Sequence, residues 1–154
     1  NICVWFWFTE LLNLLPATCL YLIRTYKKIM TYYPGWGKEI FDKHMGYLIK
    51  GDIEGMVRET YTPNASLYSA WPIPGNPPPP NVFTGTEILI VQFKKYMEYQ
   101  GEIKVDDMYN FLDSEDVISF QAVITTNSGT WAVSDTWLME GEMKTKHFGT
   151  AHKL

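Results

Sequence analysis

Residues 36–61 read Trp-Gly-Lys-Glu-Ile-Phe-Asp-Lys-His-Met-Gly-Tyr-Leu-Ile-Lys-Gly-Asp-Ile-Glu-Gly-Met-Val-Arg-Glu-Thr-Tyr. At about 100° per residue, Trp36, Ile40, Phe41, Met45, Leu48 and Ile49 share one broad arc, and Lys38, Glu39, Asp42, Lys43 and Lys50 lie on the other. The spacing predicts an amphipathic helix over 36–50. Gly51 supplies a left-handed stop, and Asp52 is placed to cap a second, short helix over 53–61. Thr62-Pro63-Asn64 closes that helix.

Outward from this pair, residues 65–71 alternate as a strand. A stiff loop follows, Pro72-Ile73-Pro74-Gly75-Asn76 and then Pro77 to Pro80. Gly85-Thr86 opens a third helix over 86–99, with Ile88, Leu89, Phe93, Tyr96 and Met97 on its buried side. After Gly101 the pattern turns to strands over 102–112, 116–126, 130–139 and 143–152. Asp113-Ser114-Glu115, Asn127-Ser128-Gly129 and Glu140-Gly141-Glu142 separate them as hairpin turns. Helices followed by a run of strands indicate an α+β fold, with the helices against one face of a curved sheet.

The chain has 154 residues, 46% hydrophobic and 16% aromatic, enough for one aromatic-rich core. Its net charge of −4 argues against a nucleic-acid binder, which needs a basic face for phosphates. There is no Cys/His metal spacing, no glycine-rich phosphate loop and no GxSxG elbow, so no metal or other cofactor is expected.

The front end differs from the rest. Residues 1–29 hold one acid (Glu10) against three bases (Arg24, Lys27, Lys28), and both cysteines, Cys3 and Cys19. The remaining residues hold no cysteine, so the main domain, 30–154, has no disulfide of its own and suits a reducing, cytoplasmic setting. Residues 2–23 are apolar apart from Thr9, Glu10, Asn13 and Thr18. Three readings stand: sequence foreign to the working domain, a membrane anchor with the domain cytoplasmic, or an additional packed helix. Length favours the anchor. Glu10 opposes it, at roughly 2.5–3.5 kcal/mol near mid-membrane. Membrane contact is expected only if this extension belongs to the protein.

Two ionisable residues stand where apolar ones belong. His44 projects between Ile40, Phe41 and Leu48; Asp135 alternates with Trp131, Val133, Trp137 and Met139. Burial of either is costly unless it is paired or neutralised. One resolution places both on a single cavity as acid and base; the other makes each a satisfied core residue. Gln92 lies in the apolar arc of the third helix. His147 shares a strand face with Met143, Thr145, Gly149 and Ala151. Tyr109, Phe120, Trp131 and Trp137 are candidates for pocket wall or core.

The stretch from Tyr47 to Val57, with Tyr61-Thr62-Pro63-Asn64-Ala65 and the final Trp137-Leu138-Met139-Glu140-Gly141-Glu142-Met143, resembles the nuclear transport factor 2-like superfamily, in particular its SnoaL-like and ketosteroid-isomerase-like branches. The resemblance covers 35–153. It implies a cone: a strongly bent antiparallel sheet wrapped around the long first helix, with two further helices and a pocket inside. Its members include isomerases, dehydratases, cyclases and hydrolases, and also binding and dimerisation modules. By position, the resemblance puts His44 where the isomerases carry an oxyanion-hole Tyr. It puts Asp135 where they carry a protonated Asp. The isomerase general base maps to Ser69, which cannot serve as a base unaided.

The expectation is therefore a pocket for a small, mostly apolar, oxygen-bearing molecule. If catalytic, it performs cofactor-independent isomerisation, dehydration or cyclisation, with His44 transferring the proton and Asp135 orienting it. Tyr47, Tyr68, Ser69, Gln92, Tyr109, Phe120, Trp131, Trp137 and His147 are the candidate substrate contacts. The alternative is a non-catalytic ligand-binding or dimerisation module of the same fold. The resemblance also implies a homodimer.

Overall fold

A computed structural model describes residues 33–154. The extension 1–29, and every expectation attached to it, lies outside the described residues. Nine elements follow in order: α1 (Trp36–Lys50), α2 (Ile53–Thr60), β1 (Tyr61–Ser69), β2 (Asn81–Thr84), α3 (Thr86–Gln100), β3 (Lys104–Ser114), β4 (Val117–Thr126), β5 (Gly129–Glu140) and β6 (Met143–Lys153). Among the described residues, no helix is long and apolar enough to cross a membrane.

The helix punctuation works as the sequence indicates. Gly51 takes φ 70° and returns its N–H to Leu48 O at 3.0 Å, while Asp52 N–H returns to Tyr47 O at 3.0 Å. Asp52 Oδ1 then accepts from Gly55 N–H at 2.9 Å and caps α2. Ile49 and Ile88, expected on buried faces, are 76% and 50% exposed. Each sits at the margin of its helix's apolar arc, beyond what the sheet covers.

The six strands form one sheet in the order β2-β1-β6-β5-β4-β3. All neighbours are antiparallel except β1 and β6, which run parallel, so the sheet is mixed rather than wholly antiparallel. Two elements differ from the sequence reading. β1 starts at Tyr61 rather than residue 65, because Tyr61 passes directly from α2 into pairing with Lys144. Pro63, which has no N–H to give, falls in the irregular gap before Ser66 resumes the ladder. β2 falls between the proline loop and the third helix, where the sequence reading places no element. Its four residues follow a proline run and are too short to show a period, yet Phe83 pairs with Leu67. Turns of two residues join β3 to β4, β4 to β5 and β5 to β6.

Irregularities bend the sheet. β3 shifts register twice against β4, and Asn110 takes φ 53° there. In β6, Lys144 pairs with Met139 and Lys146 with Leu138, which leaves Thr145 as the extra residue. Its hydroxyl donates to Leu138 O at 3.0 Å. The bulge reverses the alternation, so Lys144 and His147 are both buried.

Helix α1 lies in the concave face. Trp36, Ile40 and Phe41 pack on Ile118, Phe120, Trp137 and Met139. Phe41 meets Phe120 edge-on at 4.8 Å between centroids, a geometry worth about 0.5–1.5 kcal/mol beyond area burial. A second cluster joins Leu48, α2, β1 and α3; a third joins Trp71 and Ile73 to Ala122, Ile124, Trp131 and Val133. The first turn of α1 is tied to the sheet by Gly37 N–H, which donates to Asp113 Oδ2 at 3.0 Å.

Two glycines in α1 should therefore respond in opposite ways to alanine. A Cβ at Gly37 would overlap Asp113 Cβ and lie 2.7 Å from its Oδ2, whereas a Cβ at Gly46 meets nothing within 4 Å. Urea denaturation should show Gly46→Ala stabilised by ~0.5–1 kcal/mol and Gly37→Ala destabilised by ~1–3 kcal/mol. Equal shifts for the two would refute the close α1–β3 approach.

Candidate functional site

The three clusters leave a cavity of about 100 Å³ between α1, α3 and the sheet. Its walls are largely apolar and aromatic: Phe41, Leu67, Trp71, Phe93, Tyr96, Phe120 and Trp137 are among them. Its polar members are His44, Ser69, Gln92, Tyr96, Asp135 and His147.

Strand register gathers the polar groups. Gly149 of β6 stands opposite Ser69 on β1 and Asp135 on β5, and the adjacent row holds Leu67, His147 and Trp137. A Cβ at Gly149 would lie 3.2 Å from Asp135 Oδ1, 3.6 Å from His147 Nε2 and 3.8 Å from Trp71 Nε1. Glycine there leaves a small space onto which three polar atoms converge. Ser69, buried, accepts from Trp71 N–H at 3.2 Å, which keeps its hydroxyl proton free to donate.

Asp135 heads a hydrogen-bonded chain. Its Oδ2 is 3.1 Å from His147 Nε2, and His147 Nδ1 is 2.7 Å from the Tyr61 hydroxyl. Burial pushes the Tyr61 phenol well above its ordinary pKa, with the Asp135 charge adding to the effect. Tyr61 therefore stays protonated, and its hydroxyl can donate to Nδ1 of a neutral His147 ring. An ionised Asp135 can only accept, so the His147 proton facing it is on Nε2.

His44 belongs to a different pair. Its Nδ1 lies 3.3 Å from Lys144 Nζ, and Lys144 Nζ stands 4.1 Å from the Trp137 ring centroid and 4.8 Å from that of Tyr61. Burial drives the His44 pKa well below its usual value, and Lys144 and His147 push the same way. Burial likewise drives Lys144 well below the usual amine range; Asp135 opposes this and Lys43 adds to it. As an uncharged amine, Lys144 can either donate to His44 Nδ1 or accept from it.

The carboxylate that the sequence reading gave to His44 thus goes to His147, although His44 and Asp135 do line one cavity. Ser69, Gln92, Phe120, Trp137 and His147 line it with them. Tyr47, Tyr68, Tyr109 and Trp131 do not. Tyr47 packs beside the α2–α3 cluster. Tyr68 stacks on Phe148 at 4.6 Å, on the opposite side of β1 from Leu67 and Ser69. Tyr109 is 40% exposed on edge strand β3. Trp131 is buried against Trp71, 5.3 Å away, and donates to Ser128 Oγ.

Sequence reasoning missed Tyr61, Trp71, Lys144 and Gly149 as site residues and took Tyr96 only as core. Trp71 was legible, since alternation puts it on the face of Leu67 and Ser69. Lys144 was not, because its inward turn depends on the bulge. The loop at 70–80 is held to α3 through Asn76, which donates to Gln92 Oε1 at 2.9 Å and accepts from Lys95 Nζ at 3.4 Å. Among the described residues, no group of three or more His, Cys, Asp or Glu is placed to hold a metal.

Solved structures share this architecture. An NTF2-like protein from Anabaena variabilis matches with a TM-score of 0.62 at 10% identity, over 80% of this chain and 95% of its own. An NTF2-like protein of unknown function from Cytophaga hutchinsonii matches with 0.55 at 13%, over 75% and 89%. A proposed isomerase from Bacillus subtilis matches with 0.55 at 15%, over 75% and 86%. No family model matches the chain, and no curated protein matches it in sequence. At these identities the likeness is one of fold: the chain has the NTF2-like, α+β fold.

The buried bases carry a pH signature. A base whose folded pKa is depressed penalises the fold below its unfolded pKa, because the unfolded chain then binds the extra proton. For Lys144, stability should rise with pH up to about 10.5, at no more than about 1.36 kcal/mol per pH unit. For His44, stability should fall as pH drops below about 6.5. Denaturation of Lys144→Met across this range should lose the alkaline rise and keep the acid loss. An unchanged alkaline rise would refute a neutral buried Lys144.

Proposed function

We propose that this protein is a cofactor-independent acid–base enzyme acting on a small, neutral, mostly apolar carbonyl compound. The observation that supports this best is the convergence of Asp135 Oδ1, His147 Nε2 and Trp71 Nε1 on the space above Gly149, at one end of an apolar cavity. His147 has both ring nitrogens engaged, so it serves as a holder rather than as the base. Asp135 keeps Oδ1 towards the space above Gly149 while Oδ2 is fixed.

The chemistry follows from these atoms. Oδ1 takes a proton from the carbon next to the carbonyl; the C–H electrons move into the carbonyl, forming a dienolate. The same carboxyl returns the proton to the γ carbon, which shifts the double bond into conjugation. The developing oxyanion needs hydrogen-bond donors aimed at it. Tyr96 qualifies: burial, with Asp135 adding, pushes its phenol pKa far up and keeps it protonated. Trp71 Nε1–H is the second candidate. His44, neutral by burial, lines the same cavity and packs its ring 6.4 Å from His147 and 6.2 Å from Tyr61, while its Nδ1 faces Lys144. The isomerase-named relative from Bacillus subtilis is consistent with this class.

The test is conversion of 3-cyclohexenone to its conjugated isomer, followed by ultraviolet absorbance. Wild type should accelerate the reaction over buffer. Asp135→Asn should lose ~10²–10⁴ of that rate, and His44→Gln less than ~10-fold. Binding of the enone without acceleration would instead favour the non-catalytic pocket, which the fully satisfied His147 ring also suits.

A further inference from the structure

The residues lining the cavity include one carboxylate, Asp135, and no Lys or Arg. Lys144 is close by but does not line it, and its burial favours the uncharged amine. Of the neighbouring histidines, His44 is held neutral by burial, and His147 faces Oδ2 alone, which leaves Oδ1 turned to the space above Gly149. Asp135 is thus the one acidic side chain at the end of a cavity walled largely by aromatic and aliphatic groups.

Trp71 and Tyr96 stand beside that charge, edge-to-face at 5.0 Å between centroids. Aromatic faces attract cations through their quadrupole, more strongly where water is excluded. A carboxylate already held by a neighbouring N–H has lost part of its own hydration, so a cation meeting it displaces little water. An anion in the same place would meet both the carboxylate and the negative ring faces.

From this we propose that the cavity is a receptor for compact organic ammonium ions: a primary or alkylated amine on a small apolar ring, its N–H directed at Asp135 Oδ1 above Gly149 and its ring among the aromatic walls. The inference rests on the same ionised, open Oδ1 that the base reading requires. The ammonium N–H occupies the place of the reacting C–H, so such amines bind without being turned over and compete with the carbonyl substrate. Carboxylates and phosphates are excluded.

Three probes of equal size decide it: cyclohexylammonium, cyclohexanol and cyclohexanecarboxylate, titrated calorimetrically into the protein near neutral pH. The ammonium should bind tightest and the carboxylate should give no binding heat. Asp135→Asn should weaken the ammonium ~10- to 100-fold and cyclohexanol less than ~3-fold. Gly149→Ala, which keeps the charge but fills the space beside Oδ1, should weaken the ammonium as well and guards against a folding defect in Asp135→Asn. Equal or tighter binding of cyclohexanol or the carboxylate overturns the inference, as does ammonium binding indifferent to both variants, or no binding at all. Ammonium binding without enone isomerisation leaves the inference standing and removes the enzymatic reading. Isomerisation without ammonium preference does the reverse.

Discussion

The extra residue at Thr145 governs the interior. Without it, strict alternation along β6 would send either Lys144 or His147 out of the cavity side. With it, both are buried, one against His44 and the other between Asp135 and Tyr61. A single inserted residue thus sets two buried polar pairs side by side. The Thr145 hydroxyl, donating to Leu138 O, ties the displaced backbone to β5. The aromatic packing of Trp137, which touches Phe41, Phe120, His44 and His147, depends on the same register.

The two polar pairs resolve burial differently. Asp135, His147 and Tyr61 form a hydrogen-bonded chain that ends in a phenol which burial keeps protonated. For Lys144 and His44, burial instead disfavours the charged form and lowers both pKa values. Negative charge is kept where the cavity opens onto it, and positive charge is suppressed behind the wall.

Much of the fold was legible because its signals are local. The arc of α1, the Gly51-Asp52 punctuation and the three hairpins each declare themselves within a few residues. Asp135 and His44 were legible as anomalies, polar side chains in apolar rows. Their partners were not. Asp135 finds His147 because β5 and β6 pair in one register, and Tyr61 finds His147 because β1 lies parallel to β6; neither fact is written in any window of sequence. β2 escaped because four residues carry no period, and Ile49 and Ile88 because an arc drawn on a helix does not say how much of it a sheet will cover.

The parallel pairing of β1 with β6 also bears on biosynthesis. Tyr61 and His147 are separated by 86 residues. The closure entropy of that span has to be met before their contact rewards it. The polar end of the cavity is thus assembled only once β6, which follows the other five strands of the sheet in the chain, has been made. A chain halted before β6 holds Asp135 on β5 with neither His147 nor the space at Gly149, and is without a pocket to fill. An occupant of the finished cavity lends its binding energy to the strand whose placement is entropically dearest, so ligand supply and completion of the fold are thermodynamically linked.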